Sequence, residues 1–423
     1  MEASPSLSNM PHEIIRIILL QLPVKCVIRC QCVCKQWRSL IDDSDFKFSY
    51  RRQRRLIFFS FESISKDRNR RWMCNIYRFF VRSTSHDLRL RRHKLPFGQG
   101  FPLIRTGLDL SVLGSCNGFV LLLVANKDIW LWNPSTKCST KVLELPYPEK
   151  LDPVIFAAGL CYDSCTRDYK VVLLLHRHLI QSNHDFSGPF VRHLFLISAS
   201  LNHKEWRPVQ FPCNLDSVRG GFGGLEFRNT FHWWASDTKD WDWDRDYLSG
   251  RNRIIYFDPV GDKFRILPLP TSEPRENFSI FGLGVIDDCF CMAACMDKEE
   301  PKTLTVWIMK EYGRQESWMI AFALQMPQAF GDIYWMYGFT FYSQNKNAQE
   351  VLFLHTDGFL GRIIYVYDRE KDEFKIDLLD FLPSTFSICF YVESLECPDR
   401  PQWIWRGDDD DDDESVQNIN WPR

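Results

Sequence analysis

Between residues 8 and 46 the apolar positions follow a helical period. Ile14, Ile15, Ile18, Leu19 and Leu22 fall on one face, and Ile17 and Leu20 widen it beyond a one-sided stripe. Ser8 or Asn9 is placed to cap this helix, Pro11 suits its first turn, and Glu13 complements the helix dipole. Pro23 supplies no amide and disfavours a helical residue before it, so the helix stops there. A second helical stretch runs through Val27, Ile28, Val33, Trp37, Leu40 and Ile41. About forty residues cannot enclose this much apolar side chain within themselves. The module must pack on the rest of the chain or present a hydrophobic surface to a partner.

From residue 106 onward the pattern changes to β. Phe119–Val124, Tyr169–Leu175, Arg253–Phe257 and Ile363–Tyr367 are short runs of β-branched and aromatic residues between turn signals. One unit recurs: a strand, a turn around Asn or Asp, then a second strand. It reads from Asp128 through Asn133 to Pro146, from Arg253 through Asp258 to Pro270, and from Arg362 through Asp368 to Leu379. Weaker copies lie at His193–Pro212 and Thr303–Ala323, with turns near Ser198–Asn202 and Lys310–Arg314. Asn133 to Asp368 is 235 residues over four intervals, or about 59 per unit. Residues 56–396 then hold about six units, which is the arithmetic of a propeller. Ring closure is expected to pair an early strand, Leu56–Phe61, with a late one, Phe386–Val392.

Composition adds a boundary. The 423 residues carry a net charge of −2 at ordinary globular content, 45% hydrophobic and 25% charged. That average hides a split, because residues 1–105 hold 21 basic and 8 acidic side chains, a formal +13. The expected organisation is a helical module over 5–50, a basic connector with the first strands over 51–105, a β domain over 106–396, and an acidic, disordered tail over 397–423. No apolar run approaches the length of about 18 residues that a membrane helix needs. Met1-Glu2-Ala3-Ser4-Pro5 does not open a secretory signal, so a cytoplasmic or nuclear location is expected. Fifteen cysteines without such a signal read as reduced thiols and small buried hydrophobes.

Enzyme motifs are not legible. His12-Glu13 lacks a second histidine, and Gly220-Gly-Phe-Gly-Gly224 precedes a strand rather than a helix. Cys161-x3-Cys165 has no second half at zinc-finger spacing, and His176 with His178 reads as a surface pair, so no metal or cofactor is expected. Tyr50–Arg55, Arg68–Arg71 and Arg89–Lys94 could contact phosphates, but without a nucleic-acid-binding motif the reading is a solvated linker. The run Asp408–Asp413 with Glu414 is expected to associate weakly with that basic arm.

Met10-Pro11, Ile18-Leu19, Leu22-Pro23-Val24-Lys25, Arg29, Val33-Cys34-Lys35, Trp37, Leu40-Ile41 and Phe46 together resemble an F-box, at the family's spacing and across almost the whole motif. Met10 replaces the usual first leucine, and Cys26 stands where serine is usual. The resemblance implies a three-helix module that docks on the Skp adaptor of a cullin-based ubiquitin ligase. Carried over by position, Pro11, Ile14, Ile18, Leu19, Leu22, Pro23, Val27, Ile28, Val33, Cys34 and Trp37 would supply the docking surface or its support.

The β half resembles the plant F-box-associated, kelch-like domain. Its marks are Gly114-Ser-Cys-Asn-Gly118, Leu131-Trp-Asn-Pro134, Gly159-Leu-Cys-Tyr-Asp163 with Asp168-Tyr-Lys-Val-Val172, and Phe231-His-Trp-Trp-Ala235. The closing Phe390-Tyr-Val-Glu-Ser394 is similar to S-locus and related plant F-box proteins. Trp132, Trp233 and Trp234 lie inside strand patterns and are expected in the core. Trp241, Trp243, Asp244 and Tyr247 interrupt the strand pattern in a loop, Asp237–Arg251, that has the composition of a recognition surface.

The expected fold is therefore α+β and multidomain, a small three-helix F-box followed by an all-β, propeller-like domain of about six blades. The function implied is that of a non-catalytic substrate receptor in a Skp-cullin-F-box ligase. It would reach the cullin and RING subunit through the adaptor, and hold a target protein for ubiquitination and degradation. A non-degradative scaffold is the alternative, and a nucleic-acid-binding protein using residues 51–94 is a weaker one.

Overall fold

A computed structural model describes residues 10–50, 54–64, 73–83, 91–93, 110–124, 127–146, 154–177, 193–210, 217–219, 224–236, 252–270, 278–296, 303–325, 339–343, 350–357, 361–377 and 386–398. The chain opens with α1 (His12–Gln21), α2 (Val24–Cys30), α3 (Lys35–Asp42) and α4 (Ser44–Ser49). Pro11 occupies the N-cap of α1 rather than its first turn, and no side chain caps it; its carbonyl accepts from the amides of Ile14 and Ile15 at 3.0 and 3.2 Å. Pro23 separates α1 from α2, as its missing amide requires.

Four helices stand where three were expected. The cause is Asp43, whose carboxylate accepts from the amides of Asp45 and Phe46 at 3.0 and 2.9 Å and starts a further turn. That turn buries Phe46 and Tyr50 against Ile15, Leu19, Val24, Val27 and Ile41. The Tyr50 hydroxyl donates to the Leu22 carbonyl at 2.6 Å, tying the last helix to the end of the first.

The first strands, β1 (Arg54–Ile64), β2 (Met73–Ser83) and β3 (Arg91–His93), lie inside the basic segment; β1 takes in the early strand expected at Leu56–Phe61, and Arg54, Arg55, Arg91 and Arg92 of the runs read as solvated linker are in strands. There follow β4 (Leu110–Cys116), β5 (Phe119–Val124), β6 (Asp128–Asn133) and β7 (Cys138–Glu144), then β8 (Val154–Asp163), β9 (Asp168–Arg177), β10 (His193–Ser200) and β11 (Trp206–Val209). The next group is β12 (Ser217–Arg219), β13 (Leu225–Phe227), β14 (Thr230–Ser236), β15 (Asn252–Asp258) and β16 (Lys263–Leu267). After it come β17 (Phe278–Ile286), β18 (Cys289–Met296), β19 (Thr303–Met309) and β20 (Trp318–Gln325), then β21 (Phe339–Tyr342), β22 (Glu350–Asp357), β23 (Gly361–Asp368) and β24 (Glu373–Asp377). The last strand is β25 (Phe386–Val392).

These strands form antiparallel groups with β25-β1-β2-β3 as the first, so the final strand completes the first blade. β17–β20 and β21–β24 are two such groups joined into one sheet by a parallel β17–β21 pairing, Gly282 opposite Phe339. Counted this way the described strands make six blades, as the spacing predicts. The expected closure is present in the antiparallel register that sets Leu56 opposite Phe390.

The blade turns repeat one device. Asn133, Asp163, Asp258 and Asp368 each turn a side-chain oxygen onto backbone amides two or three residues on, at 2.8 to 3.3 Å. Four residues after each one the chain passes through the left-handed region, at Lys137, Arg167, Asp262 and Asp372. The Asn/Asp of the sequence repeat is thus a turn former whose carboxylate or amide takes up otherwise unpaired amides. Two tryptophans then fasten neighbouring blades. Trp206 opens β11 and donates to the Glu144 carbonyl, and Trp318 opens β20 and donates to the Pro268 carbonyl, both at 2.8 Å.

Apolar cores lie between successive blades. Leu121 and Leu131 pack with Leu160 and Leu173, and Val285 and Met292 with Ile254 and Trp234. Trp132, Trp233 and Trp234 are buried, as expected. Phe231 sits where two strands approach too closely for side chains. A Cβ on Gly159 would lie 2.5 Å from its Cγ, and Gly224 faces the same ring. The cysteines divide: Cys116, Cys161, Cys291 and Cys295 are buried hydrophobes, whereas Cys32, Cys34 and Cys165 are exposed, which corrects a uniform buried reading. Burial pushes the Cys161 thiol up to about 12, leaving it protonated and unreactive.

Candidate functional site

The helix module meets the β domain at a place fixed by register. Arg54 at the start of β1 pairs with Val392 at the end of β25, so the chain arriving from Tyr50 and the chain departing toward Pro398 share one end of the first blade. Leu395, 2% exposed, enters the helical core beside Leu19 and Phe46. The departing segment is held from the second blade as well. Asn133 donates to the carbonyls of Ser394 and Glu396 and to the Ser394 hydroxyl, and Ser115 donates to the Phe390 carbonyl. With Leu395 in place the helices have an inner core of their own.

The outer side of α1 has no such cover among the described residues. Ile14, Ile17 and Ile18 are 45%, 56% and 43% exposed, and Val33, in the turn between α2 and α3, is 63% exposed. These are large apolar side chains whose burial against a partner is worth roughly 1.5–3 kcal/mol each when complete. The two sides of the helix therefore have different tasks. Ile15 and Leu19 fill the inner core, while Ile14, Ile17 and Ile18 face outward.

Of the residues expected at the adaptor surface, Pro11, Ile14, Ile18, Pro23, Val33 and Cys34 are exposed. Leu22, Ile28 and Trp37 are half-buried and pack against the helical core, and Leu19 and Val27 are wholly inside it. The exposed set thus presents a surface and the buried pair supports it. Cys34 also caps α3, its sulfur accepting from the Trp37 amide at 3.4 Å. Sequence reasoning missed Ile17, although its place outside the main apolar face was the available signal. Elsewhere on the module Glu13, Arg29 and Lys35 are exposed, and Asp42 is engaged by Arg38 and Lys47 at 3.8 Å.

On the β domain, the expected recognition residues Trp241, Trp243, Asp244 and Tyr247 lie outside the described residues, as do the tail from residue 399 and His178. What is described is a buried aromatic cluster between the fourth and fifth blades. His232 packs among Phe227, Tyr256, Phe290 and Tyr312, with its Nε2 2.6 Å from the Tyr312 hydroxyl and its Nδ1 3.3 Å from the Leu225 carbonyl. Burial holds its pKa down to about 3, so it is neutral and structural at physiological pH. The Arg228 guanidinium lies 5.4 Å from the ring centres of both Phe227 and Tyr312 and closes the cluster from outside.

Among the described residues no group of three His, Cys, Asp or Glu side chains is placed to hold a metal ion. Within the same residues no helix is long and apolar enough to cross a membrane.

Comparison with known proteins bears on both halves. The F-box domain family matches residues 7–49, and the F-box associated beta propeller domain family matches residues 73–396. The F-box/kelch-repeat protein At3g23880 of Arabidopsis thaliana is 29% identical over 318 residues, covering 73% of this chain and 78% of its own. The F-box protein CPR1 of the same plant is 25% identical over 408 residues, 92% of this chain and 89% of its own. Among solved structures, an oligogalacturonate lyase in complex with manganese aligns over 71% of this chain and 70% of its own, at 11% identity and a TM-score of 0.38. With its four-helix module, its ring closed by the last strand and these two matches in order, the chain belongs to the F-box proteins that carry an F-box associated beta propeller domain.

Proposed function

We propose that the chain is the substrate-recognition subunit of a Skp-cullin-F-box ubiquitin ligase. An F-box domain implies a Skp-type adaptor as partner. The observation that carries the reading here is the outward row Ile14, Ile17 and Ile18 with Val33, on a module whose inner core Leu395 already fills. A patch left over after a core is complete is a surface for a partner. Pro11, Pro23 and Cys34 would border the contact, and Leu22, Ile28 and Trp37 would hold its shape from beneath, with Leu19 and Val27.

The target protein would be taken by the β domain, with Trp241, Trp243, Asp244 and Tyr247 proposed as contacts. The receptor itself performs no bond chemistry in this reading. Holding a target's lysines near the charged enzyme of the complex raises their effective concentration, and that proximity is its contribution. The test is co-purification of the full chain with a Skp adaptor and cullin, beside an Ile14→Asp/Ile18→Asp variant. Both positions are exposed, so the variant is expected to fold, which its denaturation curve checks; loss of the adaptor in a folded variant supports the reading. Absence of adaptor from the native chain overturns it.

A further inference from the structure

The outermost strands of the six blades are β3, β7, β11, β16, β20 and β24, each at an end of its sheet. Five of them carry charge or proline at or beside their centre. Arg92 is the middle residue of β3, Lys141 of β7, Arg265 of β16 and Lys375 of β24, and β11 holds Arg207 and Pro208. An outer strand offers unpaired amides and carbonyls, and a central charge or proline keeps another strand from pairing there. β20 is built differently. Its eight residues, Trp318-Met-Ile-Ala-Phe-Ala-Leu-Gln325, include no charge and no proline, and it is the longest of the six. We propose that β20 is the contact between two copies of this chain, paired antiparallel with its own counterpart across a two-fold axis.

Three observations support a second copy as the occupant. The first is exposure. Met319 and Ile320 are 49% and 53% exposed. Consecutive residues of a strand point to opposite faces, so both faces of the edge are open at this point. The second is charge. A two-fold axis sets the central residue of a strand against its own copy, so a central lysine or arginine would meet itself. That opposition is built into β3, β7, β16 and β24 and is absent from β20. The third fixes where the copies meet. A bulge at Ala321 lies between the pairs Trp307–Ile320 and Val306–Phe322. Beyond it Phe322 stacks on Tyr367 of the sixth blade at 5.5 Å, with the Arg369 guanidinium 5.3 Å from its ring centre, so this half of the strand is tied to its neighbour. The free half is Trp318–Ala321. The axis then passes beside Ile320, which faces its own copy, with Met319 of one chain opposite Ala321 of the other.

Such a contact closes on itself. Each copy has one edge of this kind, so the pairing stops at two chains, and the charged outer strands keep it from growing further. One short strand pair is small beside the about 1,200–2,000 Å² of a standard interface, so the dimer is a weak one. β20 belongs to the fifth blade and the helices meet the first, so the pairing does not use the outward face of α1. A dimer would present two adaptor faces and two target sites, which rests on the function proposed above; the pairing itself does not.

The test is sedimentation equilibrium of the full chain from about 1 to 200 µM, where a weak dimer should carry the average mass from one chain toward two. Ile320→Lys gives β20 the central charge of the other outer strands and should stay monomeric throughout, with a denaturation curve matching the native one. Ile320→Glu alone should do the same, and an equimolar mixture of the two should recover the dimer, because opposite charges then meet at the axis. Ile14→Asp/Ile18→Asp should dimerise like the native chain. A native chain that is monomeric at every concentration overturns the proposal, as does a dimer that survives Ile320→Lys or is lost in Ile14→Asp/Ile18→Asp. A mixture that stays monomeric overturns the pairing of Ile320 with itself. Independently of these variants, a benzophenone amino acid in place of Met319 should link, on irradiation, to residues 318–321 of an isotopically labelled second copy. Links elsewhere, or none between copies, also overturn it.

Discussion

Asn133 donates from its side-chain nitrogen to the hydroxyl of Ser394 at 2.9 Å and to the same residue's carbonyl at 3.2 Å, across 261 positions of sequence. The residue is fully buried and also reaches the Glu396 carbonyl at 2.7 Å, while its own oxygen accepts from the Ser135 amide at 2.8 Å. One side chain therefore makes a turn in the second blade and clamps the segment leaving the closing strand.

Changing Asn133 to Asp keeps the size and the turn but removes the donor. Buried carbonyls would then face a carboxylate, and the variant should lose about 2–4 kcal/mol of unfolding free energy. Denaturant titration measures this; native-like stability would remove the clamp from the account.

Gly159 is predicted to tolerate no side chain. Its Cβ would meet the Cβ and Cγ of Phe231 at 2.8 and 2.5 Å, the root of a ring that cannot swing aside. Gly159→Ala should cost about 1–3 kcal/mol, and in a Phe231→Ala background, which lacks the Cγ and Cδ1, it should cost less. Simple additivity in the double variant would show that the close approach is not the cause.

The two sides of α1 should respond oppositely to substitution. Ile14→Asp and Ile18→Asp change exposed positions and should leave unfolding within about 0.5 kcal/mol of the parent while abolishing adaptor capture. Leu19→Ala opens the inner core and should cost about 2–5 kcal/mol. A strong loss of stability in the aspartate variants would mean the outward row is structural.

His232 gives the fold a pH dependence of definite sign. Its folded pKa, held down to about 3 by burial, lies below the ordinary histidine value of 6.5. The unfolded chain therefore binds the proton first, and stability falls as pH drops from about 6.5 toward 3, by at most about 1.4 kcal/mol per unit. His232→Gln should flatten this part of the curve, read from denaturation midpoints between pH 4 and 6.5. Parallel curves for the two proteins would exclude the histidine as the source.

Much of this architecture was legible from the sequence, for reasons that differ by region. The F-box motif has fixed spacing, and Pro23 ends a helix wherever it stands. The blades were visible because several share one turn, so Asn133, Asp258 and Asp368 recur with the strands they join. Contacts between distant residues left no periodic trace. Leu395 reads as one apolar residue among polar neighbours, and nothing local assigns it to a helical core more than 340 positions away. The early strand Leu56–Phe61 was legible within β1, whereas the bounds of β2 and β3 were obscured by the arginines of the basic segment. The fourth helix is only six residues long, too short for a period to show.

The pairing of β1 with β25 also sets an order of events during synthesis. At about 5–20 residues per second, more than 300 residues and some tens of seconds separate the emergence of the first strand from that of its partner. Throughout that interval β1 keeps an unpaired edge, the feature that invites aggregation. The helices wait equally long for Leu395. Ring and helical module are thus completed by the same dozen residues, so a ribosome that stalls early releases a chain in which neither is finished, and a truncated product is marked as defective by its own exposed edge.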